Sequence, residues 1–282
     1  MKILDGKCVA ENISKSFVER IKKCNERPKI AVLSLNPDDA SRIYIKRIEK
    51  NCKEYEIGLK LLEGNSEEEF IDNFYKVRDD EEITGVMFQQ PLPQKLNNLI
   101  ELLPANKDVE GIGTKNMGKL FLGKEDSIIP CTSRAVIELI NYYNIDLTGK
   151  KVVLVGRSDI VGKPLIPQLL KKDATLTICH SKTKNIFEET KNADIVIMAI
   201  GKANFLKKDS IKDGAILIDV GINYKDGRIV GDIDFEDIKE KASMCTPVPG
   251  GIGKITNAIL IDNIIKSKEI VNYGIGSFRN SK

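Results

Sequence analysis

From about residue 8 to residue 265, short apolar runs alternate with longer segments whose apolar positions recur at helical spacing. Val9, Ile13, Phe17 and Ile21 predict a first helix over 8–24. Lys29-Ile30-Ala31-Val32-Leu33-Ser34-Leu35 reads as a buried strand, and Asn36-Pro37-Asp38-Asp39 as the cap of a helix that runs to about Tyr55 and stops at Gly58. A short strand at 59–62 follows, then a helix opened by Ser66-Glu67-Glu68-Glu69, then a strand at 83–88. The stretch 104–120 is polar and glycine-rich without periodicity, which predicts a loop facing a cleft. Cys131-Thr132-Ser133 is expected to cap a helix over 135–143. The second half repeats the alternation, with strands at 151–155, 175–179, 194–200 and 215–220 and helices between them. A Pro/Gly loop at 246–253 and an apolar helix over 255–265 close the pattern. Alternation of this kind means βαβ units on parallel sheets, an α/β fold.

One stretch carries more than architecture. Lys151-Val152-Val153-Leu154-Val155 ends at Gly156, and a helical pattern resumes near Leu165, Ile166, Leu169 and Leu170. Strand, tight glycine turn and helix together form a dinucleotide-binding βα turn. Gly156 bends without a Cβ penalty, Gly162 lets backbone approach a ligand, and the helix N-terminus offers N–H groups and a positive dipole to a phosphate. The spacing is Gly-x5-Gly, not Gly-x-Gly-x-x-Gly. Gln89-Gln90-Pro91-Leu92-Pro93 forms a stiff loop at a strand's carboxyl end, where open α/β sheets place ligands. Thr246-Pro247-Val248-Pro249-Gly250-Gly251 shapes backbone against which a flat ring could lie.

Composition narrows the chemistry. The 44 Lys+Arg nearly balance 41 Asp+Glu, with no block of like charge, so a nucleic-acid surface is not expected. No apolar run reaches membrane-spanning length. Six separated cysteines and no Cys-x-x-Cys favour reduced thiols in the cytoplasm, and His180 stands alone as the chain's histidine, so metal ligation is not expected. His180 itself reads as a strand-end residue near a loop.

Read together and in order, six segments resemble the bifunctional methylenetetrahydrofolate dehydrogenase/methenyltetrahydrofolate cyclohydrolase (FolD) family. They are Ser41-Arg42-Ile43-Tyr44, Gln89-x-Pro91-Leu92-Pro93, Lys107-Asp108-Val109-x-Gly111, Gly156-Arg157-Ser158-x-Ile160-Val161-Gly162-x-Pro164, Asp219-Val220-Gly221-Ile222-Asn223 and Thr246-Pro247-Val248-Pro249-Gly250-Gly251. The resemblance implies two α/β domains flanking a cleft, the second a Rossmann-type NADP-binding domain. The folate-binding domain is expected at 1–121 with 266–282, and the cofactor domain at 122–265. It further implies a homodimer acting on one-carbon tetrahydrofolate derivatives: 5,10-methylenetetrahydrofolate is oxidised to the methenyl form, which is hydrolysed to 10-formyltetrahydrofolate. By position, Gly156, Arg157, Ser158, Ser181 and Ile222 are expected to contact NADP, with Arg157 and Ser181 addressing the ribose 2′-phosphate. A guanidinium is the natural bidentate partner of a phosphate. Tyr44, Gln89, Glu110, Pro249, Gly250 and Gly251 are expected at the folate.

The departures from that pattern cluster at the folate site. The family lysine one helical turn after the tyrosine is Ile48, its aspartate is Glu110, and the proline after the Pro-Gly-Gly loop is Lys254; Gln90 and Ser133 differ as well. Hydride departure from a carbon between two nitrogens moves no proton, whereas hydrolysis needs an acid/base group. Dehydrogenase chemistry is therefore expected to survive and cyclohydrolase chemistry to be in question. Lys46 and Lys50 should point away from Ile48's side of the helix, and Arg47 is no base. Lys254 is the candidate to take over part of the lysine's work, or else a solvated lysine at a helix start. The alternatives are a monofunctional dehydrogenase and a non-enzymatic cofactor-binding module.

Overall fold

The computed structural model describes residues 1–279, with side chains at all of these except position 40 and positions beyond 271. In chain order, β1 (Lys2–Ile3), α1 (Gly6–Ser14) and α2 (Phe17–Lys23) precede β2 (Lys29–Leu35), α3 (Asp39–Glu54), β3 (Gly58–Gly64), α4 (Glu67–Asp79) and β4 (Gly85–Phe88). A 3-10 helix at Gln94–Leu102, then α5 (Thr114–Phe121) and α6 (Cys131–Tyr142), lead to β5 (Lys151–Val155), α7 (Gly162–Leu170), β6 (Thr175–Cys179) and α8 (Ile186–Lys191). The chain then runs through β7 (Ile195–Met198), β8 (Ile216–Asp219), β9 (Asn223–Lys225), β10 (Arg228–Val230), β11 (Met244–Cys245) and α9 (Ile252–Arg279). Two compact units result: Ile13–Ile129 with Leu260–Lys282, and Met1–Asn12 with Pro130–Ile259.

The unit containing β2 is built on a parallel three-stranded sheet in the order β3-β2-β4. Ala31 and Leu33 of β2 join Val86 and Phe88 of β4 against Phe70, Phe74 and Val77 of α4. Side chains alternate across a strand, so Ile30, Val32 and Ser34, all fully buried, face the other way. Both flanking helices start on capping side chains: Asp38 accepts from the Ser41 amide at 2.8 Å, and Ser66 from the Glu69 amide at 3.2 Å. Glu69 reaches back to the Asn65 amide at 2.8 Å.

The unit containing β5 carries a parallel six-stranded sheet in the order β1-β11-β8-β7-β5-β6. Its core packs Val153, Val155, Val196, Met198 and Leu217 with Leu206, Ile233 and Ile238. The first residues belong to this sheet because Lys2 and Ile3 pair with Met244 and Cys245.

Several expectations need correction. The helix over 8–24 is two, broken at Lys15 and Ser16, which lets Phe17 turn inward onto Tyr55 at a ring separation of 5.2 Å. The loop at 104–120 contains most of α5. Cys131, Thr132 and Ser133 are the first turn of α6, not its cap; Pro130 precedes them, and the Ser133 hydroxyl donates to the Pro130 carbonyl at 2.9 Å. α9 is longer than the expected 255–265, the connection from β7 to β8 carries only a 3-10 helix at Lys208–Ser210 where a helix was expected, and the β9–β10 hairpin, β1, β11 and the 3-10 helix at Gln94–Leu102 stand where no element was expected.

Candidate functional site

In the unit containing β5, the expected cofactor residues gather at the carboxyl ends of β5, β6 and β8. Gly156 has φ +133°, and a Cβ there would strike the Ala199 carbonyl, so the turn needs glycine. Gly162 serves the turn itself more than a ligand: a Cβ would lie 2.5 Å from the Gly156 carbonyl oxygen and 2.7 Å from Arg157 Cα. The Gly156 amide donates to the Cys179 carbonyl at 2.9 Å, which ties the turn after β5 to the end of β6. Arg157 and Ser158 on the first turn and Ser181 on the second are all exposed. Lys182 and Lys184 follow Ser181, and no acidic residue lies between Gly156 and Ser158 or between His180 and Lys184. Val161, at the start of α7, supplies no capping side chain. An exposed guanidinium beside an uncapped helix start, with Ser181 and two exposed lysines on the turn after the neighbouring strand, suits a phosphorylated ribose, so the residues fit NADP. His180 Nδ1 accepts from the Lys182 amide at 3.1 Å, a loop role as expected.

The end of β8 is held by two buried carboxylates. Asp219 accepts from the amides of Gly221 and Asp232 at 3.0 Å each and of Ile233 at 2.8 Å. Asp232 accepts from the amides of Ile200, Gly201 and Lys202 and from the Asn223 side chain. Burial pushes the Asp219 carboxyl up to about 7, and Asp232 beside it adds to the rise. This knot fixes the strand ends and displays Ile222, 67% exposed, as an apolar surface in a polar loop. Sequence reasoning saw the Asp219 motif but not Asp232, which no spacing rule singles out. The Thr246 hydroxyl accepts from the Asp219 amide at 2.7 Å, so the Pro/Gly loop starts from the same knot. Gly250 (φ +119°) and Pro249, in a cis peptide with Val248, shape it, and the Gly6 amide donates to the Gly250 carbonyl at 3.0 Å. Gly251 is buried, and Lys254, at the start of α9, is exposed.

Of the residues expected at the folate, Pro249, Gly250 and Gly251 belong to the unit just described, whereas in the other unit Tyr44 lies on α3, Gln89 at the end of β4 and Glu110 in the segment beyond it. Tyr44 on α3 is half-buried; Ser41, Ile45, Ile48 and Cys52 form that helix's buried side, with Ile48 2% exposed. Lys46, Arg47 and Lys50 are exposed. Gln89 follows β4, its Nε2 donating to the Gln90 carbonyl at 2.8 Å, while its Oε1 is buried with no donor. Leu33 and Phe88 are register partners facing α4, so Ser34 and Gln89 both emerge on the opposite side. Ser34 Oγ is likewise buried and unpaired. A buried acceptor without a donor costs free energy unless a ligand supplies one. Ser34 was missed because a lone serine inside an apolar strand gives no motif.

The Lys107-Asp108 pair does structural work. Lys107 Nζ donates at 2.8 Å to the carbonyls of Arg78 and Asp80, closing the end of α4. Asp108, buried, accepts from the amides of Gly111 and Gly113 at 2.9 Å and from the Asn116 side chain at 3.0 Å. These bonds shape the turn that carries Glu110, whose Oε2 accepts from the Phe88 amide at 3.1 Å. Burial pushes the Glu110 carboxyl up to about 8, against the pull of that amide, with Asp108 adding to the rise. Among the described residues no group of three His, Cys, Asp or Glu could hold a metal, no helix is long and apolar enough to cross a membrane, and the six cysteines are free thiols.

Comparison with known proteins accounts for both units. The tetrahydrofolate dehydrogenase/cyclohydrolase catalytic-domain family model matches residues 4–110, and the NAD(P)-binding-domain model of the same family matches residues 130–272. The chain belongs to this tetrahydrofolate dehydrogenase/cyclohydrolase family. The bifunctional protein FolD of Bacillus subtilis is 44% identical over 275 residues, which span 94% of this chain and 96% of that one. The crystal structure of the Campylobacter jejuni bifunctional FolD superposes with a TM-score of 0.90 at 37% identity, covering 95% of this chain and 99% of that one. The Trypanosoma brucei methylenetetrahydrofolate dehydrogenase-cyclohydrolase, solved with NADP and an inhibitor, gives 0.86 at 29% identity, covering 95% and 97%. In this chain the family's motif residues stand at strand ends and on one helix, while Ile48 is packed into the core.

Proposed function

We propose that this protein is an NADP-dependent methylenetetrahydrofolate dehydrogenase that also hydrolyses the methenyl product to 10-formyltetrahydrofolate. The observation that carries the reading is the match of both family domains, in order, over units whose strand ends present the residues each would need. Arg157, with Ser181, holds the 2′-phosphate, the Gly156 turn and the start of α7 receive the pyrophosphate, and Ile222 packs against the cofactor. NADP, when bound, accepts the hydride. Tyr44 provides an aromatic face for the pterin, and Gln89 Oε1 meets one of its N–H donors, which supplies the missing partner of a buried acceptor. Pro249, Gly250 and Gly251 supply backbone to the folate. The hydride step needs apposition and no proton carrier, so Ile48 in place of a lysine leaves it intact. Hydrolysis needs a group that carries a proton, and Ile48 cannot supply one. The working assembly implied by the family resemblance is a homodimer in the cytoplasm, which sedimentation and fractionation would check.

The test assays the two reactions separately. Reduced-nicotinamide absorbance should appear only when methylenetetrahydrofolate is supplied, and faster with NADP than with NAD. Methenyltetrahydrofolate should disappear faster with the protein than in buffer. Absence of the first signal overturns the enzyme reading; absence of the second alone leaves a monofunctional dehydrogenase.

A further inference from the structure

The turn that carries Glu110 follows a short stretch, Lys107 and Asp108, that pairs with the outer edge of β4. The Val86 amide donates to the Lys107 carbonyl at 2.7 Å, and Val86 and Asp108 form a parallel bridge. Two residues on, where a strand would offer another carbonyl, the Phe88 amide is met by Glu110 Oε2 instead. The side chain thus replaces backbone in the ladder, which draws the carboxyl to the carboxyl end of β4, one residue before Gln89. Its second oxygen, Oε1, accepts no hydrogen bond among the described residues, yet it is not one of the sealed, unpartnered atoms. One oxygen is anchored and the other is left for a further partner, in a residue that is half-buried as a whole.

We propose, building on the functional reading above, that Glu110 carries the proton in methenyl hydrolysis, in place of an amine on α3. The alternatives in the sequence fit less well. Ile48 is apolar and buried, and Lys46, Arg47, Lys50 and Lys254 are all exposed. The surroundings give Glu110 the needed range. The ends of β2 and β4 bring no ionisable side chain (Leu33, Ser34, Leu35; Met87, Phe88), α3 carries the Tyr44 phenol and the exposed Arg47, and the charge that acts on Glu110 is Asp108 in its own turn. A carboxyl whose ionisation falls near neutrality can both take and return a proton at working pH.

The substrate's own charge sets the timing. Methylenetetrahydrofolate is neutral at the one-carbon bridge and its methenyl product is a cation, and a nearby cation favours the ionised carboxyl. Glu110 as carboxylate takes a proton from water while the water oxygen bonds to the methenyl carbon, giving a neutral hydroxy adduct between two nitrogens. It returns that proton to N5 as the carbon–N5 bond breaks. The adduct's hydroxyl proton leaves to solvent, and a formyl group remains on N10. One water is consumed, one proton released, and no electron changes hands.

The experiment follows hydrolysis and hydride transfer side by side in the full-length protein, Glu110→Gln and Glu110→Asp, across pH. In the wild type, kcat/KM for hydrolysis above the buffer rate should rise with pH through a midpoint near 8. Glu110→Gln keeps an oxygen for the Phe88 amide and should fold. It should lose hydrolysis by about 10²–10⁴-fold together with the pH limb, and hydride transfer by much less. Glu110→Asp should keep measurable hydrolysis with the limb moved. Hydrolysis at the wild-type rate in Glu110→Gln, or a limb that persists there, overturns the proposal and leaves the functional reading standing. If Glu110→Gln does not fold, Glu110→Asp decides: a limb at its wild-type position counts against Glu110. A wild-type protein that transfers hydride and never hydrolyses overturns both.

Discussion

At the scale of single residues, the cofactor side and the folate side of this protein were legible to different degrees. Arg157 was readable because a guanidinium directly after a glycine turn has few structural duties, and the structure leaves it exposed. Replacing it with Gln should therefore hardly move the unfolding midpoint. Loss of a charge-assisted bond, worth about 1.5–3 kcal/mol, should raise the KM for NADP roughly 10- to 100-fold and leave the KM for NAD little changed. Steady-state kinetics with both cofactors checks it; a uniform loss with NAD and NADP would mean that Arg157 does not read the 2′-phosphate. Ile48 was equally readable as a departure, but not the consequence that the position is a core position, 2% exposed and flanked by buried Ile45 and Cys52. A lysine restored there would enter apolar packing, so that variant tests stability as much as chemistry. The Glu110 carboxyl's displacement toward neutrality was beyond sequence reasoning, because its chief cause is burial in the fold, which outweighs the opposing pull of the Phe88 amide.

At the scale of elements, hydrophobic periodicity located the central strands and most of the helices between them, since strands and helices are selected by the same burial, though not the β7–β8 connection, which holds only a 3-10 helix. It failed where polar groups anchor an element. α5 has Asn116 and Leu120 as its buried positions, too few apolar residues to show a period. Asn116 holds it instead, donating to the Ala105 carbonyl at 2.8 Å and to Asp108 at 3.0 Å, and accepting from the Ile128 amide at 3.2 Å. Asn116→Ala would remove three hydrogen bonds, leaving the Ile128 amide and the Ala105 carbonyl without this partner at about 1–3 kcal/mol each, while Asp108 keeps its amide donors. It should lower the unfolding free energy by about 3 kcal/mol in denaturant titration, whereas Lys115→Ala, one residue away and exposed, should stay within about 0.5 kcal/mol. Equal effects from the two would mean that α5 is not pinned through Asn116. The β9–β10 hairpin was missed for a different reason. Its Asp226-Gly227 turn, with both residues at positive φ, is the standard two-residue hairpin signal, but the flanking strands are three residues long and mostly exposed, so no alternation marked them.

At the scale of the whole molecule, two raised carboxyls in different units give stability an uncommon pH dependence. Glu110 titrates near 8 in the folded chain against an ordinary 4.5, and Asp219 near 7 against 3.8. A raised folded value means that the native state binds the proton more tightly than the unfolded chain does. The associated stability is fully present below the ordinary values and is lost as pH rises through 7 and 8. Between about pH 4.5 and 7 both groups pull the same way, each by at most about 1.4 kcal/mol per pH unit. Opposing them, Asp80, Asp126 and Asp194 are lowered, chiefly by bonds from Lys60, Lys119 and Lys212, and their contribution is lost only as pH falls below the ordinary carboxylate range. The unfolding midpoint should therefore peak nearer pH 5 than pH 8 and fall on the alkaline side. Glu110→Gln, which keeps an acceptor for the Phe88 amide but cannot ionise, should flatten that fall; a midpoint as high at pH 8 as at pH 5 in the wild type would show that neither carboxyl is held protonated in the native state. The same fall links stability to the proposed chemistry, because a carboxylate at Glu110, the form that takes a proton from water, is the form the fold holds least comfortably.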